Sequence, residues 1–180
     1  FWSWEGGMRS PEFSATLAET LTGAVTLTDM AMQLRVETPM IDTLEGMADL
    51  VTRFGIGFVV WNDHLPHAQL AAGKRPPGLT GQALKAGRSP EAHERLLREL
   101  HGNGPEVAAA LAPIAARLAA LGVRMGSHDD HTPEDRAKFR ALGADLCEFP
   151  ETRAAAEAAK AAGEPVIMGA PNVVRGGSHS

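Results

Sequence analysis

Short apolar runs alternate with Ala- and Leu-rich helical patterns along this chain, and that rhythm restricts the fold more than any single motif. The strand candidates are Met32–Glu37, Gly57–Asp63, Val123–Ser127, Ala144–Phe149 and Pro165–Ala170. Helical spacing fills Thr43–Phe54, Glu106–Leu121, Pro133–Leu142 and Thr152–Ala162. Gly122, Gly143 and Gly163 stand just past three of these helices, where a left-handed cap residue belongs. Thr132 before Pro133, with Asp135 close behind, marks a helix start. Strands separated by helices must pair in parallel, because the crossover carries the chain back to the same end of the sheet. The reading is one α/β domain over residues 1–180, and 44% hydrophobic content is enough to bury its core.

One segment breaks the rhythm. Asp63–Asn103 holds Pro66, Pro76, Pro77 and several glycines, then a charged helical stretch at Pro90–Leu100. It is too long for a βα turn and reads as an excursion over one end of the sheet. A lid, a subunit contact in a homo-oligomer and a variable surface insertion all fit it.

Polar chemistry collects where the strands end. Glu37 ends the first, Asn62, Asp63 and His64 follow the second, and His128, Asp129, Asp130 and His131 follow the third. Glu148 closes the fourth, and a loop carrying Asn172, Arg175, Gly176, Gly177, Ser178 and His179 follows the fifth. In a parallel sheet these ends share one rim, the rim where α/β folds build their sites. The starts of the strands are bland, which points to an enzyme rather than a scaffold. His128 to His131 is rich in donors for a divalent ion. The same four residues also suit a solvated loop before the Pro133 helix, with Asp130 as its cap. Glu37 is either an exposed strand terminus or a carboxylate able to bridge ions or accept a proton. Backbone amides, a guanidinium and a hydroxyl in the last loop suit phosphate oxygens, and His179 there can reach a metal or move a proton. His64 and His67 around Pro66 read as structural, His93 and His101 as surface residues, and Cys147 as core. Trp2 and Trp4 read as side chains buried against parts of a fold beyond this segment.

Charge and cysteine content narrow the partners. A net charge of −5 argues against general nucleic-acid binding, so any anion site is a local cluster. A lone Cys147 forms no intrachain disulfide and fits a reducing cytoplasm. No apolar run approaches a membrane span of about 20 residues. The opening, with Phe1, Trp2 and Trp4 and no initiating Met, reads as a start inside a larger protein.

The run MGAPNVVRGGSHS at Met168–Ser180 resembles the signature of the diphosphatase family of the carbon–phosphorus lyase pathway for phosphonate use. That family belongs to the amidohydrolase superfamily of metal-dependent (β/α)8 barrels. LRVE at Leu34–Glu37, NDHLP at Asn62–Pro66, GSHDDHT at Gly126–Thr132 and CEFPET at Cys147–Thr152 resemble other family segments in the same order. His67 and His131 depart from the family pattern. The resemblance implies a TIM-barrel-like hydrolase of which this chain is an internal part, about the third to the seventh strand. It implies a divalent cofactor (Zn, Mn, Mg or Fe) held by His128, with Glu37, His64 and His179 next. Asp129, Asp130 and His179 then serve the reacting water or orient an imidazole. Asn172, Arg175, Gly176, Gly177 and Ser178 then contact phosphate. The implied substrate is a small phosphorylated ribose phosphonate, α-D-ribose 1-methylphosphonate 5-triphosphate, hydrolysed to the 5-phosphate and diphosphate. A C–N-cleaving relative in the superfamily, a non-catalytic phosphate-binding module and an inactive fragment are the competing readings.

Overall fold

The computed structural model describes residues 1–175, the side chains of Asn172, Val173 and Arg175 excepted. Five strands form one parallel sheet in strict chain order: β1 Gln33–Glu37, β2 Phe58–Asn62, β3 Arg124–His128, β4 Leu146–Glu148 and β5 Val166–Ile167. Helix α1 (Pro11–Gly23) precedes the sheet and α2 (Leu44–Phe54) follows β1. After β2 come α3 (His67–Ala71), α4 (Leu79–Lys85), α5 (Pro90–Gly102) and α6 (Gly104–Ala120). Helices α7 (Pro133–Ala141), α8 (Arg153–Ala161) and α9 (Ala170–Arg175) follow β3, β4 and β5. Consecutive parallel neighbours joined by helices are the arrangement of part of a (β/α)8 barrel.

Alternation along the strands separates the two faces. Leu34, Val36, Val59, Trp61 and Met125 point to one side and pack with Met47, Val51, Leu111, Ile114 and Leu118 in the main core. The other face carries Arg35, Glu37, Asn62, His128 and Glu148. That polar face is the hollow of a curled sheet, as one contact demonstrates. Three strand spacings separate β1 from β4, roughly 14 Å in a flat sheet. Yet Arg35 Nη2 on β1 lies 2.8 Å from Glu148 Oε2 on β4, and Gln33 Nε2 donates to Glu148 Oε1 at 3.1 Å. Only curvature toward a barrel brings these side chains together.

The N-terminal segment is part of this architecture. Trp2 pairs in parallel with Val36 through Trp2 N to Arg35 O (2.7 Å) and Glu37 N to Trp2 O (3.0 Å). It thereby covers the outer edge of β1. Trp2 and Trp4 are buried within the described residues themselves, contrary to expectation. Trp4 anchors the excursion: with Leu65, Leu70, Leu79, Leu97 and Leu100 it forms a second small core beneath α3 to α5. His93 also departs from expectation. It is fully buried on α5, beside Arg88 Nη1 at 3.3 Å, and burial pushes its pKa down.

The glycine and threonine signals behave as read. Gly122, Gly143 and Gly163 hold φ of 72°, 85° and 76° at the helix ends. Thr132 and Asp135 form a reciprocal capping box, so Thr132 caps α7 rather than Asp130. The last segment differs. The expected strand Pro165–Ala170 shrinks to Val166–Ile167, and the expected loop begins as α9, with Pro171 in the first turn where its missing N–H does no harm. Among the described residues no helix is long and apolar enough to cross a membrane.

Candidate metal centre

Two histidine–glutamate pairs converge on one aspartate at the C-terminal rim of the sheet. His64 lies just beyond β2, and its Nδ1 is 3.0 Å from Glu37 Oε1 at the end of β1. His128 ends β3, and its Nδ1 is 2.8 Å from Glu148 Oε2 at the end of β4. The opposite nitrogens, His64 Nε2 and His128 Nε2, each stand 3.3 Å from Asp129 Oδ2. One donor atom each from His64, His128 and Asp129 thus falls within 4.8 Å of the others, a cluster able to coordinate a metal ion. A carboxylate on Nδ1 fixes the ring and its tautomer so that Nε2 faces the ion.

Strand register produces this pairing. Glu37 stands opposite Asn62, and His128 opposite Glu148. Glu37 is held by four donors: Trp4 Nε1 (3.2 Å), His64 N (3.0 Å), His64 Nδ1 (3.0 Å) and Asn62 Nδ2. Its place is behind His64 rather than in the cluster itself, because its lone pairs are engaged by these donors. Glu148 plays the same part for His128, with Gln33 and Arg35 holding its oxygens. Asp129 is aimed by its backbone. At φ 57° it occupies the left-handed region, where a non-glycine residue stores about 1–3 kcal/mol of strain. Its N–H donates to Glu148 O at 3.0 Å, which clamps the turn against β4.

Asp130 points the other way. It is buried at 2% exposure, where Ser127 Oγ donates to Oδ2 at 2.5 Å and Arg136 Nη1 lies 3.4 Å away. Its carboxylate is engaged by Ser127 and Arg136 and is not among the three clustered metal donors. Cys147 Sγ leans on the same oxygen, and burial with that charge pushes the thiol up to about 12, as suits a core residue. His131 lies outward against Glu151 at 3.1 Å. Asn172 and Arg175 fall on α9, but their side chains, with Gly176, Gly177, Ser178 and His179, lie outside the described residues. Gln33, Arg35, Trp4 and Arg136 escaped the reading of the sequence as site residues, whereas Glu148 is legible as a strand-end carboxylate but not as the partner of His128. The period-two alternation of Gln33, Arg35 and Glu37 was the available signal for three polar groups on one inner face.

Charge follows the geometry. Burial alone lowers the pKa of His64, but hydrogen bonds to Asp129 and Glu37 outweigh it and carry the value to about 10. The pKa of His128 is also raised, burial being outweighed by Asp129 and Glu148. Burial raises the Asp129 carboxyl, yet the two imidazoles hold it well below the usual range. Without metal, the His64 imidazole is therefore a cation at neutral pH and His128 is biased toward the same form; the stability they contribute is present below about pH 6.5. For His64 it is lost as pH rises through about 10. Asp129 contributes in the opposite sense, losing its share as pH falls below the normal carboxyl range. Both rings must lose a proton to ligate. Metal binding near pH 7.5 is therefore expected to release about one proton per ion from His64, with a further share from His128. Calorimetry in buffers of different ionisation enthalpy measures this, and release of none would exclude the imidazoles as ligands.

The chain is 33% identical over 168 residues to alpha-D-ribose 1-methylphosphonate 5-triphosphate diphosphatase of Escherichia coli (strain K12). The alignment covers 91% of this chain and 43% of that protein, so the chain spans less than half the length of this homologue. No family model and no solved structure matches the chain.

Proposed function

We propose that this homologue of a phosphonate-pathway diphosphatase is the metal-binding part of an amidohydrolase-superfamily hydrolase. Its proposed substrate is the triphosphate of α-D-ribose 1-methylphosphonate 5-triphosphate, cleaved to the 5-phosphate and diphosphate. The observation that carries the reading is the convergence of His64, His128 and Asp129, one donor atom each within 4.8 Å of the others, with each ring backed by its own glutamate. The donor set of two imidazoles and one carboxylate fits Zn²⁺, Mn²⁺ or Fe²⁺, and leaves room for oxygen ligands.

When bound there, a divalent ion supplies Lewis acidity toward a phosphoryl oxygen and makes water a nucleophile at neutral pH. The chain's own groups do the rest. Glu37 and Glu148 keep the Nδ1 protons and with them the ring directions. Arg35 balances the charge of Glu148 from inside the hollow, 2.8 Å away. Asp129 stands at the mouth, 23% exposed, within reach of a reactant entering from the rim. Asn172, Arg175, Gly176, Gly177 and Ser178 are the proposed phosphate contacts and His179 a proposed further metal or proton-transfer group; the chemistry of their side chains and amides is the support for both. The proposed location is the cytoplasm, on the strength of the lone cysteine.

The orienting role of the glutamates has its own test. Glu37→Gln and Glu148→Gln are each expected to weaken metal affinity about 10–100-fold while leaving the fold intact. Competition with a chromogenic chelator reads this out, and unchanged affinity in both variants would count against the orientation. The reaction itself is tested by incubating the protein and ribose 1-methylphosphonate 5-triphosphate with Mn²⁺ or Zn²⁺ and following diphosphate by phosphorus NMR. Release of diphosphate supports the substrate. Its absence from metal-loaded protein, with turnover of a cyclic amide instead, moves the reading to a C–N hydrolase on the same cluster.

A further inference from the structure

A second pair of imidazoles, His67 and His101, lies outside the cluster just described. His67, the first residue of α3, and His101, at the end of α5, point their Nδ1 atoms at each other across 2.8 Å. Their ring centroids are 5.1 Å apart at 50°, so the two nitrogens meet at an angle and the rings do not stack. On the far side of His67, Nε2 is 2.9 Å from Asp63 Oδ2, and Asp63 Oδ1 is fixed by the Leu65 amide at 3.1 Å. His67 is 42% and Asp63 34% exposed at the side chain, so the pair is open to ions from solvent.

We propose that His67 and His101 form a second transition-metal site, with Asp63 orienting His67, and that this ion clasps α5 to the start of α3. The chemistry is direct. A proton held between Asp63 and His67 Nε2 leaves the neutral ring with its lone pair on Nδ1, facing His101. Two imidazole nitrogens aimed at one point must share either a proton or a cation. At metal–nitrogen distances of about 2.0–2.1 Å, adjacent donors of an octahedral or square-planar ion stand about 2.9 Å apart, close to the separation observed. The carboxylate–imidazole contact on the opposite nitrogen is the arrangement that commonly supports a ligating histidine. Solvent completes the coordination, so the site takes Ni²⁺, Cu²⁺ or Zn²⁺ rather than Mg²⁺, which prefers oxygen donors. Sequence distance explains why nothing in the chain announced it: the residues are 34 apart and sit on different helices. This inference does not depend on which bond the protein hydrolyses.

The test uses Zn²⁺ alone. Equilibrium dialysis followed by metal analysis is expected to find one zinc ion fewer per chain in His101→Ala than in wild type. His128→Ala is expected to retain that second ion while losing the first. Long-range proton–nitrogen NMR of the wild-type imidazoles provides a reading free of any folding defect. Addition of Zn²⁺ is expected to shift both Nδ1 resonances of His67 and His101. Equal zinc content in wild type and His101→Ala, or Nδ1 resonances that stay in place at saturating zinc, would overturn the site and leave a shared proton between the rings.

Discussion

Replacement of His128 by alanine is expected to abolish metal occupancy of the His64–His128–Asp129 cluster and, with it, the proposed metal-dependent hydrolysis. The ring is held at both ends: Nδ1 on Glu148 at 2.8 Å and Nε2 beside Asp129 at 3.3 Å. Removing it deletes one of three donors and also frees the carboxylate that the ring restrains. The loss should therefore exceed the about 10–100-fold that removal of an orienting partner produces. Folding should survive, because Glu148 keeps Arg35 and Gln33 as partners. Metal analysis at a free-metal concentration that saturates wild type, paired with the phosphorus assay, gives the result. Unaltered turnover in this variant would remove His128 from the chemistry.

Arg136→Ala carries the largest expected effect on stability, a loss of about 3–5 kcal/mol. The guanidinium is 0% exposed on α7 and lies between acceptors from β3, β4 and the loops beside them. Its Nη1 donates to Ser127 Oγ and to Leu146 O at 3.2 Å, its Nη2 donates to Ala144 O, and its Nε lies 2.9 Å from Glu164. Deletion strands the Asp130 carboxylate in the interior without a cation, and that uncompensated charge dominates the cost. Glu164 retains Arg140 at 2.5 Å and contributes less to the penalty. Urea denaturation monitored by tryptophan fluorescence measures the difference, and a loss below about 1 kcal/mol would show that Asp130 finds another partner. Ser127 and Asp130 flank His128 and Asp129 in the chain. The same variant should therefore also loosen metal binding, although Arg136 touches no ligand.

The reach of the sequence can be followed residue by residue. His128 and Asp129 were legible because a donor-rich loop follows a buried strand. Helix ends at Gly122, Gly143 and Gly163 were legible because a left-handed backbone favours glycine wherever it occurs. The convergence of strand ends on one rim followed from parallel pairing alone. Glu37 was legible as a site residue but not in its position behind His64, since that depends on Asn62 and Trp4 engaging its oxygens. Trp4 is buried as expected, but in a core built by this chain's own residues. An aromatic near a chain start carries no local sign of the core it will enter, and here that core is assembled by α3 to α5. His93 and His101 sit on a charged helix whose polarity suggested solvent, yet one is fully enclosed and the other faces His67.

Periodicity, capping and turn chemistry are properties of neighbouring residues, so strands, helices and the crowding of donors at one rim can be read from the linear order of side chains. Which imidazole meets which carboxylate is a property of curvature and register. Arg35 and Glu148 are 113 residues apart and touch only because the sheet curls through three strand spacings. The same curl sets His64 against His128 and turns Asp129 toward both. That closure balances burial against strain over the whole chain, and only the folded molecule carries it out.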